Sequence, residues 1–214
     1  MLGGSTSTVD AGGNYPPSLP TYRRGASDVR QNRATIEALA SDQVSGILLA
    51  AAIANQSNTY QRPFGLGLLE WGQTFFDSDP SVGVGQMRIG EAEGLGYKGT
   101  VQGLLDDSTS IQYMSLKLQN TTSALSEFDL DPTESFMLLA IGNNIGNTVA
   151  GRYKPIKDQK GDVQTLLQND LESRTQLLKM MNWMGYLYAN DGWAFPADVD
   201  TGRVWHMLQN AYRQ

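Results

Sequence analysis

ILLAAAIANQSNTYQRP, Ile47–Pro63, is the stretch on which the fold turns. With Val44 ahead of it, Ile47, Leu48, Ala51 and Ala52 recur at the i, i+3, i+4, i+7 spacing of one helix face. Ser41 or Asp42 is the expected N-cap of that helix. The next members of the stripe are Asn55 and Gln56, with Ser57 directly after. The apolar face therefore ends in two amides on its core-facing side, at the last turn.

Upstream of this helix, a second one is expected from Ser27 or Asp28 to about Leu39. Residues 1–26 are rich in Gly, Ser, Thr and Pro and read as a flexible linker or tail, which leaves 27–214 as one domain. Downstream, residues 58–100 hold nine glycines and two prolines and lose helical periodicity. Within them VGVGQMRI alternates and predicts a short strand or hairpin. Long ordered loops on a helical scaffold tend to carry function.

Helices then resume. Asp107 or Ser108 opens one through about Leu118. Asp131 at the N-cap, Pro132 at the first position and Glu134 at the third predict a capping box. One long helix is expected from about Val163 to Tyr188, with Leu166, Leu167, Leu171, Leu177, Leu178, Met181 and Tyr188 inward. A last one carries Val204, Leu208 and Ala211. The expected class is mainly α, with a small irregular or β-hairpin lobe.

Composition narrows the chemistry. The 214 residues are 40% hydrophobic, enough for one sizeable core. A net charge of −6 argues against nucleic acid, which is gripped by clustered Lys and Arg. No apolar run approaches the ~20 residues of a membrane span. The N-terminus lacks the basic and apolar regions of a signal peptide, so action outside the cytoplasm implies another delivery route or excision of the chain from a longer precursor. There is no cysteine and one histidine, His206, which leaves no histidine-rich or thiolate metal site. His206 reads as a surface or packing residue. No metal and no cofactor is expected. GLGYKG (Gly94, Gly96, Gly99) matches a dinucleotide fingerprint as a string, but it lies in no βαβ pattern and reads as loop glycines.

Carboxylates remain as candidates for acid and base work. Asp77 and Asp79 flank a turn, and Glu70, Glu91 and Glu93 share the irregular lobe. SVGVGQM, Ser81–Met87, is more specific. Its glycines suggest close approach by a ligand or by backbone, and Gln86 offers both a donor and an acceptor suited to an acetamido group or hydroxyl.

Three segments in order give a family resemblance. AIANQS (Ala52–Ser57) places Gln56-Ser57 where a Glu-Ser pair ends a buried helix; Ser81, Gly83 and Gln86 follow about 25 residues later; Ala140, Asn144 and Gly146 come further on. In this order the chain resembles the lysozyme-like superfamily, in particular soluble lytic transglycosylases and goose-type lysozymes, over roughly residues 35–190. The resemblance implies a muramidase or lytic transglycosylase that cleaves the MurNAc-GlcNAc β-1,4 bond of peptidoglycan. It puts Gln56 at the general-acid position and Asp77, or failing that Asp79, at the place of a hydrolase base. Ser81, Gly83, Gln86, Met87, Asn143 and Asn144 become substrate-binding candidates. The chain departs from the family at three points: Gln56 for the acid, Asn143 for a tyrosine, and Arg88 at the expected place of a second aspartate.

An amide is nearly isosteric with the acid but has no proton to give, and loss of general acid catalysis costs ~10²–10⁴ in rate. The chain as written is thus expected to bind glycan without cutting it. Two origins fit: an exchange introduced to trap substrate or tame a toxic enzyme, and a natural loss of catalysis. An antibacterial effector acting in the periplasm or on the cell wall, with an immunity protein as partner, is one context. A non-catalytic peptidoglycan-binding module, or a structural domain of a secretion or phage assembly, is the alternative.

Overall fold

The computed structural model describes residues 19–59 and 81–213. Over these the chain is mainly helical, in the order α1 (Leu19–Gln31), α2 (Arg33–Leu39), α3 (Gly46–Thr59), β1 (Ser81–Val82), β2 (Met87–Arg88), α4 (Ile89–Gly94), a 3-10 turn (Val101–Leu105), α5 (Asp107–Leu125), α6 (Pro132–Ile145), α7 (Thr148–Asp158), α8 (Val163–Asn169), α9 (Leu171–Asp191) and α10 (Thr201–Tyr212).

Residues 47–59 of the opening stretch lie in α3, and α3 is the centre of the fold. Every residue from Ile47 to Asn55 is buried, not only the predicted stripe. The helix is rich in alanine, so neighbours can approach it from all sides. Helices α1, α2, α5, α6 and α9 all pack against it. A helix surrounded in this way keeps no polar face; its half-buried positions, Gly46 and Gln56, lie towards its two ends.

The expected linker ends too late. Helix α1 starts at Leu19, inside that stretch, and Ala26 and Val29 belong to the core. Gly25, which looked like linker glycine, is where α1 meets α3. A Cβ there would stand 2.5 Å from the Ala54 carbonyl oxygen and 2.7 Å from the Trp183 ring. Ser27 and Asp28 lie inside α1 rather than at a cap. The chain breaks instead at Asn32, whose Nδ2 donates to the Asp28 carbonyl and to Asp107 Oδ2, each at 3.0 Å. Helix α3 starts at Gly46, later than the predicted caps; Ser41 Oγ accepts from Val44 N in the turn before it.

The capping box of α6 forms as predicted. Asp131 Oδ1 accepts from Glu134 N at 2.9 Å, and the Glu134 carboxylate accepts from Asp131 N. Helix α5 runs on to Leu125 and is capped by Asp106. The single long helix expected over 163–188 is two. Asp170 ends α8 and caps α9, accepting from Glu172 N, Ser173 N and Ser173 Oγ. The break re-phases the helix, and Leu171 and Tyr188, expected inside, are 64% and 60% exposed.

β1 and β2 pair antiparallel, Ser81 with Arg88 and Val82 with Met87. Gly83 has φ +73, a conformation that favours glycine. A Cβ on Gly83 would drive into the Leu104 carbonyl oxygen and stand 2.6 Å from Ser110 Oγ. Gly85 N donates to that same Ser110 Oγ at 2.8 Å. The glycines therefore let the hairpin sit on the first turns of α5.

Candidate functional site

Helix α3 delivers two amides to its C-terminal end with different fates. Asn55 is 7% exposed, while Gln56 is half-buried and faces a cavity of about 600 Å³. Ser57, next in the chain, is buried and its Oγ donates to the Val84 carbonyl at 3.2 Å. That bond ties the helix end to the hairpin, so the register of Gln56 against Ser81 and Gln86 is set by Ser57.

The hairpin supplies Ser81, Gln86 and Arg88 to the cavity, and the end of α6 supplies Asn144. Residues picked from three separate sequence segments thus line one space: Gln56, Ser81, Gln86 and Asn144. Gln86 is held hard. Its φ is +47, its Nε2 donates to the Gly83 carbonyl at 2.8 Å, and its buried Oε1 has no donor among the described residues. An acceptor without a donor, on a residue that lines a polar cavity, is suited to a ligand N–H or O–H.

Other sequence candidates stand elsewhere. Gly83 serves the approach of the hairpin to Ser110, not a ligand. Met87 is fully buried in the core. Asn143 is also fully buried, with Nδ2 on Met180 Sδ at 3.4 Å, so it faces away from the cavity that its neighbour Asn144 lines. Asp77, Asp79 and Glu70 lie outside the described residues. His206 is exposed, and its Nε2 lies 3.0 Å from Asn210 Nδ2.

Three lining residues carried no sequence signal: Lys117 on α5, and Gln176 and Lys179 on α9; the candidate carboxylate Glu91 joins them from the first turn of α4. Lys117 is 9% exposed, and its Nζ donates to Glu91 Oε1 at 2.9 Å. Isolated polar positions on helices read as solvent face, and only the packing of α5 and α9 around α3 turns these inward. No cluster of His, Cys, Asp or Glu able to hold a metal exists among the described residues. None of their helices is long and apolar enough to cross a membrane.

The lining is dominated by amides and cations: Asn55, Gln56, Gln86, Asn144 and Gln176, with Arg88, Lys117 and Lys179. Such a surface suits a hydroxyl- and acetamido-rich ligand better than an apolar one. No protein-family model, curated protein or solved structure matches this chain.

Proposed function

We propose that this chain is a peptidoglycan-binding domain of lysozyme-like design, from the muramidase and lytic transglycosylase lineage, with its general acid replaced by Gln56. The observation that carries this reading is the convergence of Gln56, Ser81, Gln86 and Asn144 on one polar cavity at the end of a buried helix. They come from the three segments of the sequence resemblance, Ser81 and Gln86 from the same one, and the resemblance implies that these segments meet.

The position explains why an acid belongs there. Cleaving a β-1,4 glycosidic bond requires protonating a poor leaving oxygen. A carboxylic acid keeps its proton near neutral pH when burial disfavours the charged form. Position 56 follows nine buried residues and is itself half-buried. With a glutamate at 56, the lining residues would hold the sugar while the acid protonates the bond. Water, or the substrate's own hydroxyl closing an anhydro ring, would complete the cleavage. With glutamine the hydrogen-bonding outline stays and the proton is gone. The glycan strand lies outside the cytoplasm, so the site of action is the periplasm or cell wall.

A second reading is a module that binds glycan with no catalytic past. It is favoured by Arg88 in place of a carboxylate and by Glu91 being tied to Lys117. The discriminating experiment is the variant Gln56→Glu on purified peptidoglycan with mass spectrometry of the products. Reducing-end sugars identify a hydrolase, anhydro-muramyl ends a transglycosylase, and intact strands the binding module.

A further inference from the structure

At the end of α3 opposite Gln56, a groove of about 310 Å³ runs between the turn before α3, the start of α6 and the segment after α9. Leu48, Leu130, Phe136, Pro196 and Val199 give it an apolar floor and walls. The apolar surface continues beyond it: the Phe136 ring stands 6.2 Å from Phe195, and Phe195 stands 5.7 Å from Tyr188, which is 60% exposed. Aromatic surface of this kind beside a polar rim marks interaction sites. Asp42 and Asp198 come to the groove from two different segments, and both are exposed. No cation lines it among the described residues. The cations of the adjoining elements are engaged elsewhere: Arg33 with Glu37, Arg203 with Asp131 and Glu134, and Lys157 with the Asp129 carbonyl. Asp42 and Asp198 form no ion pair among the described residues. Residues 60–80 join the described chain at Thr59 and Ser81, both at the far end of α3 from Leu48.

We propose that this groove docks an extended segment of a protein partner, in which a large apolar side chain is flanked by lysine or arginine. The groove is at the small end of ligand pockets and has room for peptide side chains. The apolar side chain enters between Leu130, Phe136 and Val199, and the flanking cations meet Asp42 and Asp198. Apolar contact holds the segment, and charge complementarity selects it against neutral and acidic ones. Leu48 and Gln56 are about 12 Å apart along α3, so a docked segment leaves the Gln56 cavity free. The proposal stands independently of what that cavity binds.

The test is selection from a phage-displayed library of random dodecapeptides on the chain as written, followed by fluorescence polarisation of the enriched peptides made synthetically. The enriched peptides share a large apolar residue with lysine or arginine close beside it. The double variant Asp42→Lys, Asp198→Lys weakens their binding about tenfold or more, because two attractive contacts become repulsive. Added salt weakens binding by the chain as written, since both aspartates are exposed. Leu130→Ser, which opens an apolar wall, weakens it as well, whereas Leu171→Ser, at an exposed leucine outside the groove, leaves it unchanged. Urea midpoints verify that each variant is folded. Enriched peptides without cations, equal binding by the double variant, or no enrichment at all each overturn the proposal. Sedimentation velocity reads the other occupant: a dimer of the chain as written that dissociates in the double variant would make the groove a contact between copies, and would overturn it too.

Discussion

Lys117 Nζ donates to Glu91 Oε1 at 2.9 Å, and the pair stands where two cavities meet, since both residues line the 600 Å³ space beside Gln56 and a second one of about 310 Å³ beside Asn147. The partners are unequally buried, with side-chain exposures of 11% for Lys117 and 34% for Glu91. Removing the carboxylate strands the more deeply buried charge. Removing the ammonium leaves a carboxylate that water can reach. Glu91→Gln is therefore expected to cost about 1–3 kcal/mol in urea unfolding, and Lys117→Met less than about 1 kcal/mol. Greater damage from Lys117→Met would contradict the burial asymmetry.

The hairpin that presents Ser81 and Gln86 rests on Gly83. Alanine there must adopt φ +73 and press its methyl group against the Leu104 carbonyl and Ser110 Oγ. Gly83→Ala is expected to cost about 2–4 kcal/mol, from strain together with overpacking. Ser110→Ala, which loses only the bond to Gly85 N, costs about 1 kcal/mol. Urea midpoints measured on both variants check the order; a milder effect for Gly83→Ala would mean that the hairpin does not dock on α5 in this way.

Three aspartates make the fold acid-sensitive. Hydrogen bonds from the Thr109 backbone and side chain hold Asp106 below the ordinary carboxylate value. Burial pushes Asp131 and Asp170 up, but bonds from Arg203 and Glu134 N at the one, and from Arg152 and Ser173 at the other, outweigh it and leave both lowered. A carboxyl lowered in the folded state contributes stability that is present above its unfolded value, about pH 4, and lost as pH falls through the folded value. Urea midpoints are expected to be flat from pH 7 to about 4.5 and to fall below it. Asp170→Asn should lower the plateau and shallow the fall. An unchanged slope in that variant would remove Asp170 from the account.

Much of the fold was readable because local chemistry and tertiary structure agree in it. Asp131, Pro132 and Glu134 form their capping box wherever they stand, and the stripe from Val44 to Ala52 is buried as its spacing required. The failures share a cause: a local signal overridden by a distant contact. Gly25 reads as linker until Ala54 and Trp183 are seen against it. Asp170 is a favoured capping type, but the apolar positions resume at Leu171 and the pattern reads as one helix across it. At the site, Gln56, Ser81, Gln86 and Asn144 were legible through motifs. Lys117, Gln176 and Lys179 were not, because a lone polar residue on a helix acquires meaning only from what packs beside it.

Gln86 ties hairpin geometry to binding. Replacing it with alanine removes an acceptor that has no donor among the described residues and the bond to the Gly83 carbonyl. Gln86→Ala is expected to weaken binding of chitotetraose about tenfold, the equivalent of one good hydrogen bond. Titration calorimetry reads the loss, and circular dichroism verifies that the helices remain. Unchanged affinity in a folded variant would exclude Gln86 as a ligand contact.

Turbidity of a purified peptidoglycan suspension checks the claim that position 56 is where an acid acts. Sacculi are incubated with the chain as written and, in parallel, with Gln56→Glu. The chain as written is expected to sediment with the sacculi and leave turbidity constant. The Gln56→Glu variant is expected to clear the suspension at least about a hundredfold faster, the lower end of what a general acid supplies. A folded Gln56→Glu variant that binds sacculi from several species and clears none of them would contradict the claim.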